Sequence, residues 1–264
     1  MNNYKITVLG TRGSIPVCGK DFSIHGTATS CYRVQAGNEE IYLDAGSGIA
    51  SSMPLETSRL TILLTHMHLD HVIGLPFFVA LTHKDRPIDI YAHERAGLLP
   101  KEAIDRLIAK PFWPAKIDSY PAQVSFHLLP KNFSIGAVEV DTLEGSHPGG
   151  STIYKLTYQG KSFVYATDFE HDPKMSEALA DFAKGCDLLL YDAQYTTEEY
   201  ELYKGYGHST PQEGIKVAEK AAVKKLRFIH HAPWRTDKDF AQMEQTFGQG
   251  DKVAFAKIDE EILL

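Results

Sequence analysis

The sequence predicts an α/β fold in four layers: two mixed sheets packed face to face, with helices outside (αββα). Three observations predict it. Segments run in the order strands, helix, strands, helices, in two comparable halves, 1–123 and 124–264. No flexible linker separates the halves, so they belong to one domain, 1–264. Stretches such as Arg59–Leu64 and Asp187–Tyr191 are nearly all apolar, as strands covered on both faces are.

Tyr4–Leu9 reads as the first strand, and 15–30, rich in Gly, Ser and Pro, as a loop. Cys31–Gln35 and Glu40–Leu43 are strands around the turn Gly37-Asn38. Arg59–Leu64 is the next, and a helix follows it to about residue 82. A short strand spans 87–92, and a helix over 95–110 stops near Pro111. Residues 111–122 mix aromatics and prolines without a period and read as a lid or pocket wall. In the second half Val124–Leu129 and Ser134–Thr142 are strand-like. Thr152–Tyr158 and Lys161–Ala166 form a hairpin about Gln159-Gly160. A helix over Lys174–Lys184 precedes the strand Asp187–Tyr191. Pro211, just after a Ser-Thr cap, opens a helix to about Ala222. Leu226–Ile229 is the last central strand; 237–247 is helical and 253–258 strand-like.

Composition excludes several classes. The chain has 264 residues, enough to bury a large core without staples. Lys plus Arg is 27 against 34 for Asp plus Glu, a net charge of -7, with no basic run. Coating an extended nucleic acid is therefore not expected, whereas a small anionic substrate fits a site whose charge metal ions invert. Three cysteines without a CxxC give no disulfide framework, which predicts a reducing cytoplasm. The start, MNNYKITVLG, lacks the apolar core of a leader, and no stretch approaches a membrane span.

The chemistry sits in the histidines. Thr65-His66-Met67-His68-Leu69-Asp70-His71 puts four metal-ligand side chains in six positions, directly after an apolar strand. If the stretch starts extended, His66 and His68 share one side, and a turn then brings Asp70 and His71 round. This spacing gives two metals, one on His66 and His68, the other on Asp70 and His71. His147, Asp168 and the pair His230-His231 each lie just past an apolar strand, where ligands converge on one rim. Asp168 is the natural bridge, since one carboxylate can hold two cations. Two divalent ions suit a hydrolysis whose nucleophile is a hydroxide held between them. The ligands are all N and O, so zinc is the default ion and manganese the alternative.

Other residues fill out the site. His208, in Gly207-His208-Ser209-Thr210, is the candidate general acid, because its free pKa lies near neutral. Asp44 and Asp192 end strands and are candidates to orient ligand histidines from behind. Arg12, or Arg235, is a candidate contact for an anionic substrate. Ser47 in Asp44-Ala45-Gly46-Ser47-Gly48 is not in a nucleophile elbow, so no serine triad is indicated.

By His66, His68, Asp70 and His71, and by the later order His, Asp, His, the chain resembles the metallo-β-lactamase superfamily over nearly its whole length. The resemblance implies that His66, His68 and His147 hold one metal. It implies that Asp70, His71 and His231 hold the other, with Asp168 bridging; either register of His230-His231 is open. Asp168 stands where the lactamases carry cysteine. With Asp44-Ala45-Gly46 and the motif around His208, this resembles the phosphodiesterase branch, which includes the transfer RNA 3′-processing endonuclease. That likeness implies a catalytic part for His208, with Asp70 beside it, and a homodimer. The endonuclease has a long RNA-gripping arm between its last-but-one His and the bridging Asp. Here His147 and Asp168 are separated by a single hairpin. The expected activity is therefore hydrolysis of a small phosphodiester such as a cyclic nucleotide. The alternatives are an RNA-processing endoribonuclease and a hydrolase of a lactone, thioester or other carbonyl compound. A redox role would want a carboxylate where His68 stands.

Overall fold

The computed structural model describes residues 4–55 and 59–264. Met1–Asn3, part of the stretch read above for a leader, lies outside the described residues. Six strands come first: β1 (Tyr4–Gly10), β2 (Cys31–Ala36), β3 (Glu39–Leu43), β4 (Leu60–Leu63), β5 (Ile88–Ala92) and β6 (Val124–Leu128). Seven more follow: β7 (Asn132–Ile135), β8 (Val138–Gly145), β9 (Ser151–Tyr158), β10 (Lys161–Ala166), β11 (Leu188–Asp192), β12 (Lys225–Ile229) and β13 (Val253–Phe255). A last strand, β14 (Glu261–Leu263), ends the chain.

They form two seven-stranded sheets, ordered β14-β1-β2-β3-β4-β5-β6 and β13-β12-β11-β10-β9-β8-β7. Both mix antiparallel hairpins with parallel strands. Side-chain alternation builds the layers. Ile6, Val8, Ile41 and Leu43 of one sheet and Leu156, Phe163, Leu188 and Leu190 of the other fill the core between the sheets. Leu189, Tyr191 and Phe228 face the opposite way, onto α3 (Pro173–Phe182), α5 (Pro211–Ala221) and α6 (Asp237–Phe247). Ile62, Ile88 and Ile90 pack outward on α2 (Pro100–Leu107) and neighbouring turns. The four-layer αββα architecture is the one the sequence predicts.

Several boundaries differ. The chain changes sheets after β6, not at 123, and β14 returns to the first sheet beside β1. The helix expected after His71 is only α1 (Leu69–Val72), followed by two 3-10 turns. Gly74 and Pro76 interrupt it. Ser134–Thr142 is two strands, because Gly136 adopts φ 54° and turns the chain between β7 and β8. A helix not expected, α4 (Thr197–Tyr203), starts at a capping box in which the Thr196 hydroxyl accepts from the Glu199 amide and Glu199 returns to the Thr196 amide.

Candidate metal centre

The site lies where β4, β8, β10, β11 and β12 release their chains on one rim. His66, His68 and His147 bring ring nitrogens together, as do Asp70, His71, Asp168 and His230. In each group the donor atoms lie within 4.8 Å of one another. Asp168 stands between the groups. Its Oδ1 is 3.8 Å from His66 Nε2 and 3.9 Å from His147 Nε2. Its Oδ2 is 3.1 Å from His71 Nε2 and 3.2 Å from His230 Nε2. A cleft of about 350 Å³, lined by Ser14, His68, Leu69, Asp70, Asp168, His208 and His230, opens onto them.

The resemblance puts His231 first and leaves either register open; it is His230, not His231, that the fold brings to Asp70, His71 and Asp168. Residue 230 takes a left-handed φ of 58° just after β12, which swings its ring onto the rim. His231 then rejoins a bridge with Arg12. Its Nε2 donates to the Ala256 carbonyl at 2.9 Å, and its ring packs against Phe240. It points away from the cluster. Gly13 lets the His230 ring fit: a Cβ there would come within 2.3 Å of it. Ser14, Asp44 and Asp168 share the left-handed backbone of His230. Such strained positions gather where side-chain direction matters.

Arg12 is also corrected. Its side chain is fully buried, and its guanidinium donates to the carbonyls of Gly26 (2.7 Å), Ala232 (3.1 Å) and Arg235 (2.7 Å). It lies between the rings of Phe22 and Phe240, so it braces loops and offers nothing to a substrate. Arg235 pairs with Glu199.

Two carboxylates hold the donors from behind. Asp44 accepts from the Thr65 amide (2.8 Å), Tyr165 Oη (2.8 Å) and His71 Nδ1 (2.8 Å), so His71 Nε2 faces the cluster. Asp192 accepts from the Asp168 amide (3.0 Å) and from His208 Nδ1 (2.9 Å). His208 Nδ1 is also 3.9 Å from Asp168 Oδ1. His147 Nδ1 donates to the Gly207 carbonyl at 2.9 Å, which turns Nε2 inward. Gly207 has φ 88°, and a Cβ on it would sit 2.2 Å from His147 Nδ1. Sequence reasoning assigns no packing role to Gly13 or Gly207, and it passes over the Ser14 amide, which donates to Asp70 Oδ2 at 2.7 Å.

Electrostatics divides the rings. Burial holds His66 well below the usual histidine range, with His71 reinforcing it. Burial likewise lowers His147 and His68. These rings stay neutral and present lone pairs. Burial also disfavours charge on His230, but Asp168 and Asp70 outweigh it and push its pKa up to about 9. His71 is raised against the same burial by Asp168, Asp70 and Asp44. Burial opposes charge on Asp70 and Asp168, yet the facing imidazoliums hold both carboxyls below the usual range. Protonated His71 and His230 thus neutralise carboxylates that a divalent ion would neutralise instead.

The donor set fits divalent metal. It is all imidazole and carboxylate, and buried His66 Nε2 has no hydrogen-bond partner among the described residues. Paired sheets with imidazole and carboxylate donors converging on their shared rim define a metal-dependent hydrolase. A family model described as the beta-lactamase superfamily domain matches residues 39–231. The chain belongs to that superfamily.

Ribonuclease Z of Brevibacillus brevis is 25% identical, with 89% of this chain and 87% of the relative covered. The metallo-β-lactamase fold protein YhfI from Bacillus subtilis superposes with a TM-score of 0.76 at 20% identity, covering 99% of both chains. Human tRNase Z, short form, does so at 0.72 and 20% identity, covering 98% of both. Among the described residues, no helix is long and apolar enough to cross a membrane.

Proposed function

We propose that this protein is a dimetal phosphodiesterase. One observation carries the reading: the two oxygens of Asp168 face two separate donor groups, and His208, backed by Asp192, stands beside them. His66, His68 and His147 would hold one ion, Asp70, His71 and His230 the other, and Asp168 both. When bound, the ions supply charge neutralisation and an activated water at neutral pH. His208 supplies the proton for the departing oxygen. Its Nδ1 is engaged by Asp192, which leaves Nε2 to face the cleft. An acid so placed suits a poor alkoxide leaving group, which supports a phosphodiester over a thioester, whose thiolate departs without a proton.

The curated relatives favour RNA as the substrate over the cyclic nucleotide that the sequence reading put first. Ribonuclease Z proteins from several organisms align over roughly nine-tenths of this chain. The observation that supports a small diester is the β9–β10 hairpin. It closes through Gln159-Gly160 with no inserted arm. Zinc is the ion we assign, on the donor chemistry. We place the protein in the cytoplasm, on its three free cysteines. We propose a homodimer, on the exposed apolar side chains Ile73, Phe77 and Phe112 that a second copy would cover.

The test is hydrolysis by the zinc-loaded protein of bis(p-nitrophenyl) phosphate, a 2′,3′-cyclic nucleotide, an RNA with a 3′ trailer, and a lactone. Cleavage of the diesters supports the reading, and the RNA and the cyclic nucleotide separate its two forms. Activity on the lactone alone overturns it.

A further inference from the structure

We infer that an aromatic platform beside His208 is a subsite for a planar ring, such as a nucleobase, on the leaving-group side of the substrate. The inference rests on the phosphodiesterase reading for its orientation. Four aromatic side chains from three loops of the rim form the platform: Tyr195 after β11, Tyr203 and Tyr206 at and beyond the end of α4, and Trp234 after β12. Tyr195 stacks on Tyr203 with centroids 5.1 Å apart and planes at 25°. It lies nearly parallel to Trp234 at 6.5 Å. Tyr203 meets Tyr206 at 5.8 Å. The cluster abuts the site directly, because the Tyr195 ring is 5.6 Å from that of His208, which is 4.8 Å from His230.

Tyr195 is buried and anchors the group. The outer rings are open to solvent: Tyr203 by 37%, Trp234 by 48% and Tyr206 by 61%. Rings of this size left open beside a polar cleft mark a contact surface. The platform is also held in place. Glu199 accepts from Trp234 Nε1 at 3.1 Å. Glu170 accepts from Tyr200 Oη (2.9 Å), the Gly205 amide (2.8 Å) and the Gly207 amide (3.1 Å), which fixes the loop between Tyr203 and His208. Arg235 is tied up by Glu199, and the Lys204 ammonium lies over the Tyr200 ring, 5.9 Å from its centroid. Preformed ring faces recognise flat π-systems with little regard to base identity. A ring seated there would be attached to the oxygen that His208 protonates.

The probes are adenosine 5′-monophosphate and ribose 5-phosphate, which share the phosphate and differ in the base. Calorimetry on the zinc-loaded protein should give an affinity for the nucleotide about tenfold or more above that for the sugar phosphate. Replacing Tyr203, Tyr206 and Trp234 together by Ser should bring that ratio to about one. Trp113 and Trp234 are the only tryptophans, so Trp113→Phe isolates Trp234. In that protein the nucleotide, and not the sugar phosphate, should quench the fluorescence; this readout needs no truncated platform. Equal affinities in the unmodified chain, or no quenching, would overturn the subsite. Phosphodiester cleavage without base-dependent binding removes the subsite and leaves the phosphodiesterase. Base-dependent binding without any diester cleavage does the reverse.

Discussion

His71 Nδ1 lies 2.8 Å from Asp44 Oδ2, and that contact decides which of its nitrogens faces Asp168. Asp44 is in turn held by the Thr65 amide and by Tyr165 from the opposite sheet. Replacing Asp44 by Asn keeps the size and tolerates the left-handed backbone but leaves one acceptor oxygen and no charge for three donors, which weakens the hold on His71 Nδ1. Zinc affinity, measured by chelator competition, is expected to fall about 10–100-fold. Unchanged affinity would mean that the orientation of His71 does not matter.

The neighbours His230 and His231 should separate cleanly. His230→Ala is expected to lower bound zinc from about two ions to about one, as a dimetal site losing one holder should. His231→Ala removes a buried ring packed on Phe240 and Phe255. It should keep both ions and cost about 2 kcal/mol of stability by denaturant unfolding. The opposite pattern would restore His231 as the ligand.

The raised pKa of His230 gives a pH signature. Its ordinary value is 6.5 and its value in the metal-free fold is about 9. A raised group contributes stability that is complete below the ordinary value and is lost as pH climbs through the folded one. The metal-free protein should therefore lose Tm between pH 6.5 and 9. Zinc needs the neutral ring, so binding should release protons and tighten over the same window. Parallel Tm profiles with and without zinc would contradict this.

His208 should matter in proportion to the leaving group. His208→Ala is expected to slow a diester with an alkoxide leaving group by about 10²–10⁴-fold. A p-nitrophenolate, which departs without a proton, should be much less affected. Equal losses in steady-state assays would assign His208 to positioning rather than proton transfer.

Much of this was legible in the chain. The apolar runs at Leu60–Leu63 and Leu188–Tyr191 mark strands covered on both faces, and Gln159-Gly160 marks a hairpin turn. The density of ligand types from His66 to His71 marks the rim without any structure. What was hidden depends on backbone direction. Nothing in Ile229-His230-His231 announces that residue 230 turns left-handed, so the wrong ring looked available. Arg12 reads as a free cation, and only the tertiary carbonyls of Ala232 and Arg235 show it to be a brace. The need for glycine at 13 and 207 comes from rings packed across the fold. Tyr195, Tyr203, Tyr206 and Trp234 are too far apart in sequence to read as one surface.

The most direct test is anomalous diffraction from crystals of the zinc-loaded protein. Two peaks are expected on either side of the Asp168 carboxylate, roughly 3.5–4 Å apart. One should sit among His66, His68 and His147, the other among Asp70, His71 and His230. A single peak, or peaks that Asp168 does not touch, would contradict the bridged pair of ions on which the hydrolytic reading stands.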